Sequence, residues 1–405
     1  MIVLVKIGLV IAGLLLLIRK KADLGLALFL SGALTAVLFG IPARTYALNV
    51  GKALVAGETL ELVGVVLLVL YVGNFLQRGG HFRRMVDALK NLVDDPRLIL
   101  AIPSAFIGLL PMTAGAMMGA PIVEEAGRRW GLSPARMTFF NYWFRHIWEY
   151  SWPLYINQIL AAAICGVPVK RICLHQFPFT VVAIAAGLFV LFRHVPYLPK
   201  EGDAPKRLRD VLKVFLSIWP ILLAIVLIFA FKSGMLLALG ISSLMTQVAT
   251  KMDLKERLRL VAESLSLKIV VLTAALMVFK RILEISGALD SVVGVVSIHG
   301  VSGYILLFAA PFFVGLLTGV NQAFVAIAFP ILVPIIGRTE PDMGLLAFAY
   351  VSGFAGILLS PAHLCLALTA DYFKAPLRDV YKLLIGPTAV VFLSAVVMLV
   401  ITRIF

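Results

Sequence analysis

Charged side chains are scarce in this chain of 405 residues, because aspartate, glutamate, lysine and arginine together make up only 14% of it. Soluble domains carry about 25% charged residues, and the mean hydropathy of +1.02 also lies outside their range. The scarcity excludes an ordinary soluble domain. Since 61% of the residues are hydrophobic and fall in long runs, the composition predicts an all-α polytopic membrane protein.

Cysteine is also rare, and several motifs are missing. Cys165, Cys173 and Cys365 are scattered and lack metal-ligand spacing, which excludes a disulfide scaffold and favours three buried packing residues. The sequence has no nucleotide-binding P-loop, no His-Glu-x-x-His zinc motif and no Gly-x-Ser-x-Gly elbow. We therefore expect no ATP-driven pump, no enzyme, no bound metal and no cofactor.

The net charge of +15 comes from basic residues in short loops between apolar runs. In a membrane protein such residues set the orientation, so no nucleic-acid partner is expected. With both chain ends outside the cytoplasm, most lysines and arginines fall in cytoplasmic loops, and this imbalance predicts that both termini are extracytoplasmic. The first apolar run, 2–18, lacks a cleavage signal and is expected to be a retained span.

Two long apolar regions broken by glycine, proline and polar residues resemble each other at a constant offset of about 208 residues. This regularity predicts two inverted repeats, 1–196 and 207–405, joined by a cytoplasmic linker at 197–206. Each repeat is expected to have about five crossings, a re-entrant helical hairpin and a broken helix. The matching positions are Pro103 and Pro311, Gly108 and Gly315, Pro121 and Pro330, and Pro153 and Pro361. The predicted hairpins span about 99–127 and 303–337, and the broken helices span about 135–166 and 342–373.

The stretch from Arg145 to Pro153 places ionisable groups at membrane depth. Asn141, Arg145 and Glu149 recur every fourth residue and so share one face of a helix. Pro153 removes a backbone donor and disfavours helical geometry before it, so the helix should break there. Charged groups and irregular backbone inside a membrane usually face a cavity, and the stretch is therefore predicted to be a binding site.

Arg145 is the natural anchor for an anionic substrate, because its guanidinium stays charged and offers a planar fork of donors. The alternative is a buried ion pair with Glu149, four residues on. Glu149 and His146 could carry a proton, although His146 could equally be an ordinary helix histidine. Metal ligation by these two residues lacks further ligands in the sequence.

The second repeat contributes neutral and titratable groups. Asn321 and Gln322 have oxygens suited to sodium, or they could serve only the turn's own backbone. His363 and Asp371 are candidate proton or sodium groups, although Asp371 could be a helix-end charge. The full substrate set is Thr113, Gly115, Asn141, Arg145, His146, Glu149, Ser151, Asn321, Gln322, Ser360 and His363. The coupling-ion set is Thr113, Ser151, Thr318, Asn321, Ser360 and Asp371.

The segments 108–121, 143–153 and 359–364 resemble an uncharacterised prokaryotic membrane family, domain of unknown function 401 (DUF401). That family is similar, more distantly and through its repeat plan, to the ion transporter superfamily of dicarboxylate, citrate and gluconate carriers. The resemblance implies a multi-pass protein of the prokaryotic inner membrane with an elevator-like movement.

The function expected from the residues and the resemblance is a secondary transporter for a small organic anion, coupled to Na⁺ or H⁺. A channel or a lipid or polyprenyl-phosphate flippase using the same cavity is the alternative, followed by an intramembrane enzyme. The expected partners are the small anionic substrate and membrane lipids, with a homodimer left open.

Overall fold

The computed structural model describes residues 2–92, 95–109, 115–198, 207–250, 252–288 and 303–404. Helix makes up 84% of the described residues, which contain no strand, and this confirms the predicted all-α class. The helices of the first half are α1 (Ile2–Arg19), α2 (Leu24–Leu38), α3 (Ala43–Val55), α4 (Gly57–Arg78), α5 (His81–Leu92), α6 (Ile102–Gly108), α7 (Ala116–Arg129), α8 (Pro134–His146), α9 (Ile156–Cys165) and α10 (Val169–His194). Those of the second half are α11 (Arg207–Phe229), α12 (Met235–Ala249), α13 (Leu254–Ser264), α14 (Leu267–Ile285), α15 (Gly303–Thr318), α16 (Asn321–Ile336), α17 (Met343–Leu358), α18 (Leu364–Phe373) and α19 (Leu377–Ile404).

Several described helical stretches have the length and composition of membrane spans. Five of them are long and apolar enough to cross a bilayer, which agrees with a membrane protein. Shorter apolar helices of 10–17 residues account for much of the remaining chain. The five candidate spans are Gly57–Arg78, Val169–His194, Leu208–Phe229, Leu254–Ile285 and Leu377–Ile404.

Side-chain caps define where several helices begin. Asp23 accepts a hydrogen bond from the backbone of α2, Ser133 does so for α8, and Asp342 does so for α17. Such caps satisfy backbone donors that a helix leaves unpaired at its first turn. The short polar segments between apolar runs therefore fix the helix starts.

The helices pack into two groups that each draw on both halves of the chain. In bundle 1, comprising α1–α4 and α11–α14, α2 packs on α14 while α4 packs on α12 and α13. In bundle 2, comprising α6–α10 and α15–α19, α8 packs on α19 and α10 on α17. The reciprocal contacts α7 with α18 and α9 with α16 complete this exchange. The two halves are thus interleaved rather than side by side.

Glycines permit the closest helix contacts. A Cβ on Gly25 would lie 2.9 Å from the backbone nitrogen of Leu272, so α2 and α14 touch backbone to backbone. In bundle 2, a Cβ on Gly108 would collide with the carbonyl of Arg145, and one on Gly315 with the carbonyl of Gly353. The same register of about 208 residues relates these two contacts.

Two helix interruptions and one tight turn meet in bundle 2. The first interruption runs from the 3₁₀ turn Ile147–Tyr150 to the start of α9 at Ile156, and it contains Pro153. The second separates α17 from α18 and contains Pro361. The turn between α15 and α16 is Gly319–Val320, where Gly319 has φ +63° and its backbone lies against Ala362 and His363. The Gly319–Val320 turn therefore packs directly against the second interruption.

Candidate functional site

A cavity of about 510 Å³ lies where the two interruptions and the Gly319–Val320 turn converge. Bundle 2 supplies one wall, and α4 with the α13–α14 junction of bundle 1 supplies the other. Residues from both halves of the chain face the same space. The predicted site residues that line it are Arg145, His146, Glu149, Asn321, Gln322 and His363.

Arg145 and Glu149 are the charged groups of bundle 2 that line this cavity. They are 4% and 1% exposed, so both charges are almost completely removed from bulk solvent. Taking an isolated charge out of water is costly, and opposite charges must therefore compensate each other in this space. The guanidinium Nη1 of Arg145 also lies 3.5 Å from Nε2 of His146.

Glu149 connects the first interruption to the second half of the chain. Its Oε2 accepts a hydrogen bond from the side-chain amide of Asn321, at the start of α16. Its backbone carbonyl accepts hydrogen bonds from the Tyr350 hydroxyl at 2.9 Å and from Gln158 Nε2 at 3.0 Å. Groups from three helices therefore hold Glu149 in place, one through its carboxylate and two through its backbone carbonyl.

His146 and His363 face each other across the cavity wall. Nδ1 of His146 donates to the Tyr142 carbonyl at 2.6 Å, and Nδ1 of His363 donates to the Gly319 carbonyl at 2.7 Å. The two Nε2 atoms lie 3.1 Å apart. Both rings are thus oriented by backbone carbonyls, with their second nitrogens directed at each other.

Four other predicted residues lie outside the cavity lining, and three of them form hydrogen bonds between segments of bundle 2. Asn141 donates to the Ala116 carbonyl at 2.8 Å, which joins α8 to α7. Ser151 lies 2.7 Å from the Thr180 hydroxyl of α10. Ser360 donates to the Leu316 carbonyl, and Thr318 donates to the Val314 carbonyl, each at 2.7 Å. The hydroxyl protons of Ser360 and Thr318 are thus used in bonds to backbone carbonyls.

The three remaining predicted residues are placed differently. Asp371 is exposed near the end of α18 and does not line the cavity. Gly115 precedes α7 and lies outside the lining. Thr113 lies outside the described residues, as does most of the predicted linker.

Several lining residues were not among those singled out from the sequence. Tyr155 donates its hydroxyl to the Gly108 carbonyl, and Asn157 donates to the Tyr350 hydroxyl at 2.5 Å. Cys365, expected only to pack, lies beside His146 and His363 in the cavity wall. The sequence feature that could have pointed to Cys365 is its position two residues after His363, next to the second interruption. Bundle 1 adds Asn74, Glu263, Ser266 and Lys268.

Comparison with known protein families gives a match over nearly the whole chain. The family described as protein of unknown function (DUF401) matches residues 2–401. No curated protein matches the chain. Because the match extends over nearly the full length and includes both interruptions and the cavity, the chain belongs to the DUF401 family.

Proposed function

We propose that the protein is a secondary transporter that moves a small organic anion across the membrane together with Na⁺ or H⁺. The observation that carries this proposal is the cavity that joins Arg145 to the Gly319–Val320 turn and to both helix interruptions. Interrupted helices that meet within a membrane protein provide free backbone groups and helix ends for ligands. The absence of a P-loop motif in the sequence favours a gradient over ATP.

The donors in the cavity suit a carboxylate. Arg145 provides a guanidinium fork that binds two oxygens at once. Asn157, Asn321 and Gln322 lie around it and add amide groups. The volume falls within the roughly 300–1,000 Å³ of small-molecule sites. A compact organic anion is therefore the proposed substrate.

The location of the cavity between the bundles supports an elevator-type movement of two inverted repeats. Leu70 and Asn74 of α4 form the bundle 1 wall, while Arg145 and His363 belong to bundle 2. Sliding bundle 2 along bundle 1 would carry the bundle 2 residues and their ligand away from α4. The reciprocal packing of the two halves is what a repeat with a pseudo-twofold relation would produce.

The cavity reaches the surface beside Lys268, whose side chain is 76% exposed. The Arg78–Glu263 ion pair lies at the same end, and it joins two segments that the lysine and arginine distribution assigns to the cytoplasm. We therefore assign this conformation to the inward-open state. Both chain ends then lie outside the cytoplasm of a prokaryotic cell.

The decisive experiment is uptake of radiolabelled carboxylates into proteoliposomes, after a thermal-shift screen has selected binders. Accumulation that depends on an imposed Na⁺ or H⁺ gradient is the expected result. Arg145→Ala should weaken carboxylate binding by roughly 10–100-fold, because a hydrogen bond to a charged group contributes about 1.5–3 kcal/mol. Arg44→Ala, an exposed arginine on α3, is the matched control. Gradient-independent flux, or unchanged affinity in folded Arg145→Ala, would contradict the proposal.

A further inference from the structure

Three metal-binding side chains from distant parts of the sequence meet in the cavity wall. His146, His363 and Cys365 are all buried, and one donor atom of each lies within 4.8 Å of the others. The two histidines are 217 residues apart, so no sequence motif could reveal the group. We propose that His146 Nε2, His363 Nε2 and the Cys365 thiolate bind one divalent transition-metal ion, with Zn²⁺ as the best-fitting ion.

The hydrogen bonds of the two imidazoles are the first support. Each Nδ1 lies against a backbone carbonyl, which accepts but cannot donate, so each Nδ1 must carry the proton. In the neutral rings, both Nε2 atoms then present lone pairs to each other at 3.1 Å. Two facing lone pairs repel, and a cation between them removes the repulsion.

The thiol of Cys365 does not resolve this conflict by itself. It lies within hydrogen-bonding reach of His146, and its one proton can satisfy one of the two facing nitrogens. A metal ion accepts electron pairs from both nitrogens and from the sulfur. The arrangement of the three atoms therefore fits a metal better than it fits a shared proton.

The geometry of the histidines matches that of metal ligands. A tetrahedral zinc ion with Zn–N bonds of about 2.0–2.1 Å holds its nitrogen ligands roughly 3.3 Å apart, close to the separation found here. A carbonyl on the opposite ring nitrogen is the usual outer partner of a metal-bound histidine, because it fixes the tautomer and the ring direction. Both His146 and His363 have that partner.

The charges around the three ligands favour an added cation and leave room for an anion. Metal binding displaces the proton of the Cys365 thiol, and Glu149 Oε1 lies 3.7 Å from His146 Nε2, so two anionic groups adjoin the ion. The guanidinium of Arg145 is the opposing charge. With a divalent ion bound, positive charge is in excess at the cavity. If the proposed transport of an organic anion is correct, its carboxylate could take the open coordination position.

Metal binding is tested on the purified full-length protein in detergent, with Co²⁺ as the spectroscopic probe and Zn²⁺ as the competitor. The expected result is one Co²⁺ per chain, with a thiolate-to-metal charge-transfer band and the visible bands of a tetrahedral site. Zn²⁺ should displace the Co²⁺ and abolish these bands. Neither readout requires transport, so failure of the metal site and failure of the transporter proposal are separate outcomes.

Matched variants identify the ligands. Cys365→Ser should remove the charge-transfer band and weaken Zn²⁺ binding by more than the 10–100-fold or so that loss of an outer partner costs. Cys165→Ser, a buried cysteine outside the cavity, should leave both unchanged. His363→Ala should also weaken binding, whereas His175→Ala should not. Size-exclusion chromatography and thermal unfolding show which variants are folded. Metal affinity is then compared with that of the unmodified protein for whichever of Cys365→Ser and His363→Ala remains folded.

Absence of saturable binding in the unmodified protein would overturn the proposal. So would binding whose affinity and spectrum are the same in folded Cys365→Ser as in the unmodified protein, because the ion would then be bound elsewhere.

Discussion

Asn321 is the residue through which the second half of the chain holds Glu149. Its amide donates to the carboxylate, and both groups lie at the cavity wall. A hydrogen bond to a charged acceptor inside a protein contributes more than one between neutral groups, and an acceptor left without its donor is penalised. The pair therefore affects the stability of the site as well as its shape.

Asn321→Ala should lower the free energy of unfolding by about 1–3 kcal/mol, because a buried carboxylate loses a donor. Asn321→Asp should cost more, since it places a second carboxylate beside Glu149. Reversible unfolding in mixed detergent micelles measures both changes. Gln322→Ala, the next residue of the same turn, is the control and should change stability less. Equal stability of Asn321→Ala and the unmodified protein would contradict the role assigned to this contact.

At this scale the sequence predicted the charged residues better than their neighbours. Arg145 and Glu149 could be recognised because a charged residue inside an apolar stretch costs free energy in a membrane and therefore usually has a functional role. Cys365 and Tyr155 could not, because a buried cysteine or tyrosine in an apolar run has the same pattern as a packing residue. Asn141 and Ser151 were polar for a different reason, which is that they join helices by hydrogen bonds.

The Gly319–Val320 turn is the element that joins the α15–α16 pair to the second interruption. Gly319 adopts a left-handed conformation, and a Cβ there would lie 2.5 Å from the Ala362 carbonyl carbon and the His363 nitrogen. Glycine is required at this position for two reasons, the backbone angle and the close approach. Its carbonyl also accepts the Nδ1 proton of His363.

Gly319→Ala should destabilise the protein by more than about 1–2 kcal/mol, because the left-handed backbone alone costs that much for an alanine. Gly166→Ala is the matched control. Gly166 has a similar φ of +68°, but a Cβ there would meet nothing within 4 Å. The difference between the two variants in thermal unfolding reports the contact with the second interruption. A difference near zero would mean that the turn can move away from Ala362 at little cost.

Proline alone was an incomplete guide to where helices stop. Pro153 and Pro361 lie in interruptions, where polar side chains bond to backbone groups that no helix pairs. Gln158 donates to the carbonyls of Glu149 and Tyr150, and Ser360 Oγ accepts from the Ala362 backbone N–H. Other prolines lie inside continuous helices, where neighbouring helices tolerate the missing donor. Local sequence could not separate the two cases because tertiary packing decides between them. The helical prolines are Pro121, Pro178, Pro220, Pro311, Pro330, Pro334 and Pro387.

At the scale of the whole molecule, the two interleaved halves make equivalent helix contacts at positions related by the offset in the sequence. Gly108 against Arg145 and Gly315 against Gly353 are the same contact made once in each half. The offset in the sequence indicated that the two halves correspond. It could not indicate which helices of one half would pack on the other, because such contacts depend on three-dimensional arrangement. The inverted orientation stays a prediction.

The sidedness of the cavity can be measured by cysteine labelling. Lys268→Cys, at the cavity mouth, should react with a membrane-impermeant maleimide in inside-out vesicles and be protected in right-side-out vesicles. Lys52→Cys, exposed at the C-terminal end of α3, should show the opposite pattern if the lysine and arginine distribution sets the topology. Both variants are made in a Cys365→Ser background because Cys365 lines the cavity, whereas Cys165 and Cys173 are buried outside it. Labelling of both positions from the same side would contradict the inverted topology.

The backbone contact between Gly25 and Leu272 has a mechanical consequence. Two helices that touch main chain to main chain have no flexible side chains between them to absorb a shift, so this seam resists sliding. If the molecule changes shape while it works, the seam is where the stationary part is held together. Cross-linking the two helices there should therefore leave turnover intact, while the same bridge placed between α4 and α9 should stop it.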